Sequence, residues 1–433
     1  MSSSLSRRAF NKFVLSAVAG SAFGLMGLPS RVMSASPAAR RVVVIGGGFG
    51  GATAARHLKL LDPSISVDLV EPKAVYHTCP FSNWVLGGLK TMNDIAHDYK
   101  VLQQRYGVHV IADMAVSIDP VSRKVRLKGG RVLAYDRLIV APGVDFRWDA
   151  IPGYSQKIAE SAIPHAYEAG PQTTLLQRQL VAMKDGGSVI IVSPPNQFRC
   201  PAAPYERASM IAWYLREHKP KSKVIILDAK DGFTKQDLFM QGWDRKYPGR
   251  IEWRSASGGG KVDRLDAATM TISTEFGDEK GAVINVIPPQ RAGKIAVDNG
   301  LADASGWCPV NPLTFESTLH AGIHVIGDAI QGSPMPKSGT AANTQGQAVA
   351  RVIADLFNGR SSPAQRLESL CYSLIAPGYA VSVRGTYQLT PLGFAENRGD
   401  ISMTSMEASP EQLAAEANLA LSWYRQISED VWG

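Results

Sequence analysis

The segment RVVVIGGGFGGATAARHLKLL most constrains the fold of this 433-residue chain. Residues 41–45 have the apolar pattern of a buried strand, and a helical pattern follows the turn. Between them Gly46, Gly48 and Gly51 form a G-x-G-x-x-G turn. Such glycines permit a tight turn, close approach of the backbone to a pyrophosphate and close helix–strand packing. The segment therefore predicts a dinucleotide bound at the N-terminus of a helix.

Later segments indicate that this dinucleotide is FAD. The next predicted strand ends in Glu71, twenty residues beyond Gly51, where a carboxylate would bind the ribose hydroxyls. The segment YDRLIVAPG ends at Gly143 and returns the chain to the nucleotide, and TLHAGIHVIGDA places Asp328 where it would bind the ribityl chain. Together these segments resemble the two-dinucleotide-binding-domain flavoproteins, a family similar to glutathione reductase.

The segment PMPKSGTAANTQGQAVARVIADLF, which follows Asp328, predicts a helix. Its N-terminus lies near Lys337, Gly339 and Thr340 and would point at the flavin pyrimidine. The helix dipole and the free backbone amides would then stabilise negative charge on the reduced flavin.

A second strand–helix–strand unit is predicted from SVIIVS, ERASMIAWYLREH and KVIILDA. In the family that the chain resembles, this domain binds NAD(P)H. Here its turn reads VSPPNQFRC, without glycines, and Pro194 and Pro195 remove two backbone N–H donors that a pyrophosphate would use. We therefore do not expect a pyridine-nucleotide reductase.

These patterns predict an α/β fold with two Rossmann-like dinucleotide-binding domains and a smaller C-terminal α+β domain. In the tail, YAVSVRGTYQLT is predicted as a strand and PEQLAAEANLALSWYRQISEDVW as a helix. The expected organisation is a signal peptide at 1–36, a discontinuous FAD-binding domain at 37–152 and 294–362, a second Rossmann-like domain at 153–293 and an interface domain at 363–433.

The N-terminus predicts export. SRRAFNKF, followed by the weakly hydrophobic VLSAVAGSAFGLMGLP, has the features of a twin-arginine signal, with an ordinary secretory signal or membrane anchor as the alternative. The mature protein is then expected in the periplasm with its cofactor bound, and no later segment predicts a transmembrane helix. The formal net charge of +8 is not accompanied by a nucleic-acid-binding motif, so nucleic acid is not an expected partner.

The four cysteines lack metal-binding spacing, so no metal site is predicted. In an exported protein with an even cysteine count, structural disulfides are the simplest expectation. Cys200 stands at the predicted start of a helix, where the dipole would favour its thiolate. Cys308 is expected to be a buried free thiol that packs as a small hydrophobe. His77 and His165 are expected to be ordinary polar residues.

From about residue 40 to the C-terminus, the chain resembles the flavoprotein subunit of flavocytochrome c sulfide dehydrogenase. The resemblance is carried by YHTC with SN after it, RCPAAPYERASMIA, GWCPVNPLTFESTLHAGIHVIGDA, PMPKSGTAANTQGQ and CYSLIAP. It implies that Cys79 binds FAD covalently through the flavin 8α-methyl group, that Cys200 and Cys371 form a redox disulfide beside the flavin, and that Glu206 is a candidate proton-transfer group. The alternative for Glu206 is a solvated carboxylate in the first turn of a helix, where it complements the helix dipole. The chain departs from the family at Pro80, and a buried free thiol is the alternative for Cys79.

The same resemblance implies oxidation of hydrogen sulfide to zero-valent sulfur, with electrons passed singly from FAD to a haem-bearing cytochrome c subunit in a heterodimer. The main alternative is sulfide:quinone oxidoreductase, which has the same fold but needs a membrane-facing tail, whereas the predicted tail helix lacks a basic polar face. An alternative of another class is a flavin electron-transfer protein with a purely structural disulfide.

Overall fold

The computed structural model describes residues 40–433, so the predicted signal peptide at 1–36 lies outside the described residues. In the first part of the described chain, the elements are β1 (Arg41–Ile45), α1 (Phe49–Leu61), β2 (Ser66–Val70), β3 (Tyr76–His77), α2 (Ser82–Leu86), β4 (Ala96–His97), α3 (Lys100–Gln104), β5 (His109–Ile111), β6 (Ala115–Asp119), β7 (Lys124–Leu127), β8 (Val132–Ala134), β9 (Arg137–Val140) and β10 (Val144–Phe146).

The chain continues with twelve elements before it returns to the first sheet. They are α4 (Gln156–Ser161), α5 (Pro171–Ala182), β11 (Ser188–Ser193), α6 (Ala203–His218), β12 (Lys223–Asp228), α7 (Gln236–Lys246), β13 (Ile251–Arg254), β14 (Val262–Asp266), β15 (Thr271–Thr274), β16 (Gly277–Lys280), β17 (Val283–Val286) and β18 (Gln290–Ala292).

The last part of the chain supplies one strand to the first sheet, a long helix and the tail. Its elements are α8 (Lys294–Asp298), β19 (Ile323–Val325), α9 (Gly339–Phe357), β20 (Arg366–Ala376), β21 (Tyr379–Thr390), β22 (Gly393–Glu396), β23 (Ser402–Met403) and α10 (Pro410–Trp432).

The first sheet is parallel and has the strand order β19-β9-β1-β2-β5. Its central strand reads as a continuous apolar run because helices cover both faces of a parallel sheet, and Val42, Val43 and Val44 are completely buried. Helices α1 and α9 pack closely, since a Cβ placed on Gly346 would stand 2.5 Å from the Gly50 carbonyl oxygen. This packing brings the start of α9 to the start of α1.

The second sheet is also parallel, with the order β13-β12-β11-β17. The tail adds the antiparallel hairpin β20–β21, extended by β22 and β23, and the helix α10, which packs against β21, β20 and α1. The expected fold class, two Rossmann-like units with a smaller α+β tail, is thus confirmed. The expected domain boundaries stay a prediction, because the described residues 40–433 lie within one compact unit.

The sequence predicts β11, β21 and α10 with the bounds that the structure has, whereas β20 has no counterpart among the predicted elements. The sequence predicts helix α1 from Ala52 to Leu61, and in the structure the helix begins three residues earlier, at Phe49. Within residues 40–433, no helix combines the length and the apolar character needed to cross a membrane.

Candidate active site

The glycine turn between β1 and α1 is shaped by close backbone approaches. Gly46 has φ +98°, and a Cβ on it would lie 2.3 Å from the Ala141 carbonyl oxygen. A Cβ on Gly51 would lie 1.9 Å from the Gly46 carbonyl oxygen, so neither position accepts a side chain. Glu71 follows the end of β2, and its Oε2 accepts a hydrogen bond of 2.9 Å from the Gly47 amide. The carboxylate expected to bind a ribose therefore lies directly beside the turn.

Two further glycines predicted to bind the cofactor line the same edge of the sheet. Gly48 is the N-cap of α1, and a Cβ on it would approach the Tyr76 hydroxyl oxygen at 3.1 Å. Gly143 has φ +66°, and its carbonyl accepts a 2.9 Å hydrogen bond from the Gly293 amide. Both residues thus keep the backbone open to a ligand at the carboxyl ends of β1 and β9.

Asp328 lies in the turn that follows β19. Its Oδ1 is buried and has no hydrogen-bond partner among the described residues, and the same is true of the Arg199 Nε. Burial raises the pKa of Asp328, and the charges of Arg199 and Lys337 oppose this shift. Buried polar atoms of folded proteins are almost always paired, so these two indicate a missing partner. With the glycine turn, they fit a bound FAD.

The start of α9 faces the same region. The Ser338 Oγ accepts a 3.2 Å hydrogen bond from the Ala341 amide, which leaves the amides of Gly339 and Thr340 available to a ligand. A Cβ on Gly339 would stand 3.4 Å from the Phe49 ring, so the N-termini of α1 and α9 are neighbours. Two helix dipoles therefore favour negative charge at this edge of the sheet.

The segment that carries Cys200 and the segment that carries Cys371 are both hydrogen-bonded to the start of α9. The Cys200 amide donates a 2.8 Å hydrogen bond to the Lys337 carbonyl oxygen. Three residues further on, the Thr340 hydroxyl donates a 3.0 Å hydrogen bond to the carbonyl oxygen of Leu370, the neighbour of Cys371 in β20. All four cysteines of the described chain carry free thiols in this structure, so the Cys200–Cys371 disulfide stays a prediction.

The backbone at Cys200 is held in an unusual conformation. Its φ of +52° lies in the left-handed region, which costs a non-glycine residue about 1–2 kcal/mol. The Cys200 carbonyl compensates by accepting hydrogen bonds from the Tyr167 hydroxyl at 3.0 Å and from the Ala203 amide at 2.9 Å. Because α6 begins only at Ala203, Cys200 lies in the turn before the helix.

The thiols of Cys79 and Cys200 are close enough to shift each other's pKa in opposite directions. The neighbouring Cys200 thiol lowers the pKa of Cys79 to about 6 against the effect of burial, and the charges of Arg199 and Arg207 assist. The Cys79 thiol and burial raise the pKa of Cys200. This direction does not support the expected Cys200 thiolate, because the neighbouring Cys79 and burial both raise the pKa of Cys200, which lies in the turn before α6.

The loop that carries Cys79 is held by the tail helix. Thr78 is completely buried, and its hydroxyl oxygen lies 2.7 Å from the Tyr424 hydroxyl oxygen in α10. The Ser82 hydroxyl donates a 2.7 Å hydrogen bond to the Cys79 carbonyl oxygen. The position of the thiol next to Cys200 thus depends on the docking of α10.

Glu206 joins three elements near the cysteines. Its Oε2 accepts a 2.8 Å hydrogen bond from the Asn83 amide group, and its Oε1 accepts from the Trp84 indole at 3.2 Å and the Leu374 amide at 2.9 Å. This carboxylate therefore fastens α6 to α2 and to β20. Its predicted role in proton transfer stays a prediction.

One residue of the site has no signal in the sequence. Lys235 lies in the loop before α7 and is only 5% exposed. Its ammonium donates to the Cys371 carbonyl oxygen at 3.1 Å and to the Ser373 hydroxyl at 2.8 Å, and it lies 3.7 Å from the Cys371 sulfur. A single lysine in a polar loop predicts solvent exposure, so only the tertiary fold reveals this contact.

In the second Rossmann-like sheet, the carboxylate at the end of β12 is already hydrogen-bonded to other side chains of the protein. Asp228 is completely buried. Its Oδ2 accepts hydrogen bonds from the Tyr205 hydroxyl at 2.5 Å and the Trp253 indole at 3.0 Å, and its Oδ1 pairs with the Lys230 ammonium at 2.5 Å. A carboxylate at this position of a dinucleotide-binding unit would bind a ribose. Here it is not free to do so.

Cys308 is the buried free thiol that the sequence analysis expects, and His165 has a structural role. Cys308 is completely buried, and burial raises its pKa to about 12, so it is an inert thiol. Burial lowers the pKa of His165 to about 3, and its Nδ1 accepts a hydrogen bond from the Tyr167 amide, so its ring is neutral and structural. Residues 40–433 contain no cluster of side chains that could hold a metal ion.

Comparison with protein families covers most of the described chain. Residues 173–288 match the central part of the sulfide dehydrogenase (flavocytochrome c) flavoprotein chain, and residues 363–432 match the flavin-binding part of flavocytochrome c sulphide dehydrogenase. Residues 40–190 match the pyridine nucleotide-disulphide oxidoreductase family.

Comparison with single proteins gives the same families. The sulfide dehydrogenase (flavocytochrome c) flavoprotein chain of Chlorobaculum thiosulfatiphilum is 70% identical over 46 residues, which are 11% of this chain and 96% of that sequence. The mitochondrial sulfide:quinone oxidoreductase of Mus musculus is 23% identical over 385 residues, covering 85% of this chain and 83% of that protein.

Among solved structures, the sulfide:quinone oxidoreductase of Aquifex aeolicus is similar in fold, with a TM-score of 0.71 and 17% identity, and the match covers 90% of this chain and 92% of that chain. A NAD-dependent persulfide reductase from A. fulgidus has a TM-score of 0.62 at 14% identity, covering 88% and 77% of the two chains. Together with the glycine turn, the unpaired Asp328 oxygen and the two family matches beyond the first sheet, these findings identify the chain as a member of the flavocytochrome c sulfide dehydrogenase flavoprotein family.

Proposed function

We propose that this chain is the flavoprotein subunit of a periplasmic flavocytochrome c sulfide dehydrogenase. In this proposal it oxidises hydrogen sulfide to zero-valent sulfur through a Cys200–Cys371 disulfide. Electrons then pass one at a time to a cytochrome c subunit, with which the chain forms a heterodimer. Export by the twin-arginine route would deliver the folded protein with its FAD.

The observation that carries the proposal is the attachment of both cysteine segments to one end of α9. The amide of Cys200 and the residue next to Cys371 bond to Lys337 and Thr340, which lie in the segment expected to face the flavin pyrimidine. Residues far apart in sequence are thereby drawn to one ligand-binding edge. This supports a redox disulfide beside the cofactor better than a structural disulfide elsewhere.

The chain's own groups provide the thiol chemistry. Hydrosulfide attacks one sulfur of the disulfide, which leaves a persulfide on that cysteine and a thiolate on the other. Bound FAD would accept two electrons as the thiolate and the persulfide return to the Cys200–Cys371 disulfide with loss of zero-valent sulfur and a proton, and it would pass these electrons on singly. The amides at the start of α9 and the cation of Lys337, which is bonded to the Asp328 and Ile330 carbonyl oxygens, would stabilise negative charge there.

Cys79 is proposed as the covalent attachment point of FAD. Its lowered pKa gives a reactive thiolate near neutral pH, and Arg199 and Arg207 supply positive charge close to it. The loop is fixed at Thr78 and at the Cys79 carbonyl, so Pro80 does not remove the thiol from the site. These features favour attachment over the alternative of an inert buried thiol.

Two observations favour a cytochrome over a membrane quinone as the acceptor. Leu419 of α10 is 53% exposed, but Tyr424 and Trp432 are buried against the protein, where the Tyr424 hydroxyl bonds to Thr78 and the Trp432 indole donates to the Gly47 carbonyl oxygen at 3.2 Å. These two side chains are therefore not available to a bilayer. Sulfide:quinone oxidoreductase remains the second candidate because relatives with that name match over most of their length.

An anaerobic sulfide titration of the purified FAD-loaded protein tests the proposal. We expect sulfide to bleach the flavin absorption band and added oxidised cytochrome c to restore it. Cys200→Ser and Cys371→Ser should each abolish bleaching, whereas Cys308→Ala, which alters the inert thiol, should not. A flavin that sulfide does not bleach, or that bleaches equally in both serine variants, would favour the non-catalytic flavoprotein. Restoration by a soluble quinone but not by cytochrome c would favour the quinone reductase.

A further inference from the structure

Lys235 is a buried cation without a carboxylate partner. Among residues 40–433, no Asp or Glu oxygen lies within 4.0 Å of its ammonium, whereas the buried Lys230 pairs with Asp228. Burying a charge is unfavourable unless an opposite charge or a full set of hydrogen bonds compensates it. Lys235 has hydrogen bonds to one carbonyl and one hydroxyl oxygen, and the third direction of its ammonium leads to a sulfur.

The backbone at Lys235 supports a role beyond packing. Its φ is +61°, in the left-handed region that lysine rarely adopts. The residue precedes α7, and the Phe239 amide bonds to its carbonyl at 3.0 Å, so the conformation is fixed by the helix. Strained conformations of this kind persist where the surrounding structure maintains them, often at functional sites. Here the strain holds an ammonium 3.7 Å from the Cys371 sulfur.

We propose that Lys235 is the counter-ion of the Cys371 thiolate and that it thereby directs hydrosulfide to the Cys200 sulfur. This inference rests on the disulfide of the proposed function. A bond forms between the hydrosulfide sulfur and the Cys200 sulfur, the Cys200–Cys371 bond breaks, and its electron pair leaves on Cys371. One negative charge enters and one remains, so no further oxidant or proton is needed. The Lys235 ammonium stabilises the leaving thiolate.

The other charged groups around β20 do not compete for Cys371. Glu206, from α6, is engaged by the Leu374 amide on the same strand. Glu368 of β20 pairs with Arg384 of β21 at 2.7 Å, and Arg384 stands opposite Leu370 rather than Cys371. Opposite Cys371 stands Val383, which carries no charge. Lys235 is therefore the cation available to this sulfur within the described chain.

The test uses the FAD-loaded protein and the substitution Lys235→Gln, which keeps a hydrogen-bond donor and removes the charge. Lys235→Arg restores the charge. The control Lys246→Met removes an exposed charge from the last residue of α7, the helix that follows Lys235. In dithionite-reduced protein at neutral pH, the rate of Cys371 alkylation by iodoacetamide is measured by mass spectrometry. In oxidised protein, anaerobic sulfide is added, thiols are trapped and the cysteine that carries the extra sulfur is identified.

We expect Lys235→Gln to slow Cys371 alkylation by about tenfold, while Lys235→Arg and Lys246→Met stay near the wild-type rate. The extra sulfur should lie on Cys200 in the wild type and on both cysteines in Lys235→Gln. Unchanged alkylation in a folded Lys235→Gln protein, or extra sulfur on Cys371 in the wild type, would overturn the assignment. Failure of sulfide to add sulfur to any cysteine would instead refute the proposed function, and alkylation would still test Lys235.

Discussion

At the scale of single residues, the proximity of Cys79 and Cys200 shifts the pKa values of the two thiols in opposite directions. A thiolate at Cys79 next to Arg199 is prepared for reaction with an electrophile. The raised pKa of Cys200 keeps its sulfur protonated while Cys79 is free. The covalent attachment of Cys79 to FAD that we propose would remove this influence of Cys79 on the pKa of Cys200.

The first prediction concerns this attachment. Cys79→Ala should leave FAD bound, because the glycine turn, Glu71 and Asp328 are unchanged, but acid precipitation should release the flavin into the supernatant. In wild-type protein and in Cys308→Ala, the flavin should stay with the precipitated chain. The measurement is flavin absorbance in the two fractions. Release of the flavin from the wild type would contradict a covalent bond at Cys79.

At the scale of elements, helix α10 is held by one carboxylate near its end. Asp430 bonds to Arg56 at 2.8 Å and lies 3.3 Å from the His57 Nε2, both in α1. In α9, Asn343 and Gln347 donate to its other oxygen at 2.7 and 3.0 Å. The helix thereby fixes Trp432, whose ring stacks on His97 at 4.6 Å over the glycine turn. Docking of α10 and closure of the cofactor site are thus linked.

Asp430→Ala should lower the free energy of unfolding by about 2 kcal/mol, because four donors lose a charged acceptor. Although burial opposes ionisation, hydrogen bonds from His57 and Asn343 and the charge of His57 hold the pKa of Asp430 well below its usual range. Its contribution should therefore be complete above a carboxyl's ordinary pKa of about 3.9 and be lost as the pH falls below it.

Urea unfolding of wild type and Asp430→Ala between neutral and acidic pH measures this contribution. The difference between the two proteins should shrink as the solution becomes more acidic. Asp244→Ala, at an exposed carboxylate of α7, is the matched control and should change stability little. A difference that stays constant to low pH would show that Asp430 acts through packing and not through its charge.

At the scale of the whole molecule, the two Rossmann-like units differ in whether the polar groups at the ends of their strands are already paired within the chain. In the first unit, the glycine turn has no room for side chains at Gly46 and Gly51, and the buried Asp328 Oδ1 has no hydrogen-bond partner among the described residues. In the second unit, the Lys230 ammonium bonds to the Pro194 carbonyl oxygen at 2.7 Å and to Asp228. This lysine therefore supplies hydrogen bonds to both the turn and the acidic residue. Tyr205, whose hydroxyl bonds to Asp228, stacks on Phe233 with the ring centroids 3.6 Å apart. The second unit carries Cys200 between β11 and α6 and Lys235 before α7.

From this we predict that NADH and NADPH do not reduce the flavin. In an anaerobic titration, the absorption band should remain with either nucleotide and disappear when sulfide is then added. The reason is the loss of two amide donors at Pro194 and Pro195 together with the occupied Asp228. Rapid bleaching by NADH would contradict this account and would favour a pyridine-nucleotide reductase.

The sequence by itself determined the features that depend on local chemistry. Glycine spacing predicts the turn at Gly46, because no side chain fits between backbones there, and alternating or helical periodicity predicts β21 and α10 with their bounds. The resemblance to the sulfide dehydrogenase flavoproteins added the cysteines and Glu206 as site candidates, and the comparisons confirmed the family.

Tertiary structure alone decided how the candidates meet. Lys235 and Cys371 are 136 residues apart, and the bonds of Glu206 reach back 123 residues to Asn83 and forward 168 residues to Leu374. A contact of that range depends on how sheets and helices pack. A single lysine or glutamate produces no periodic pattern in the sequence from which such a contact could be predicted. The raised pKa of Cys200 differs from the expectation for the same reason. A thiol's charge is set by the groups packed around it, and its place before a helix is only one of them.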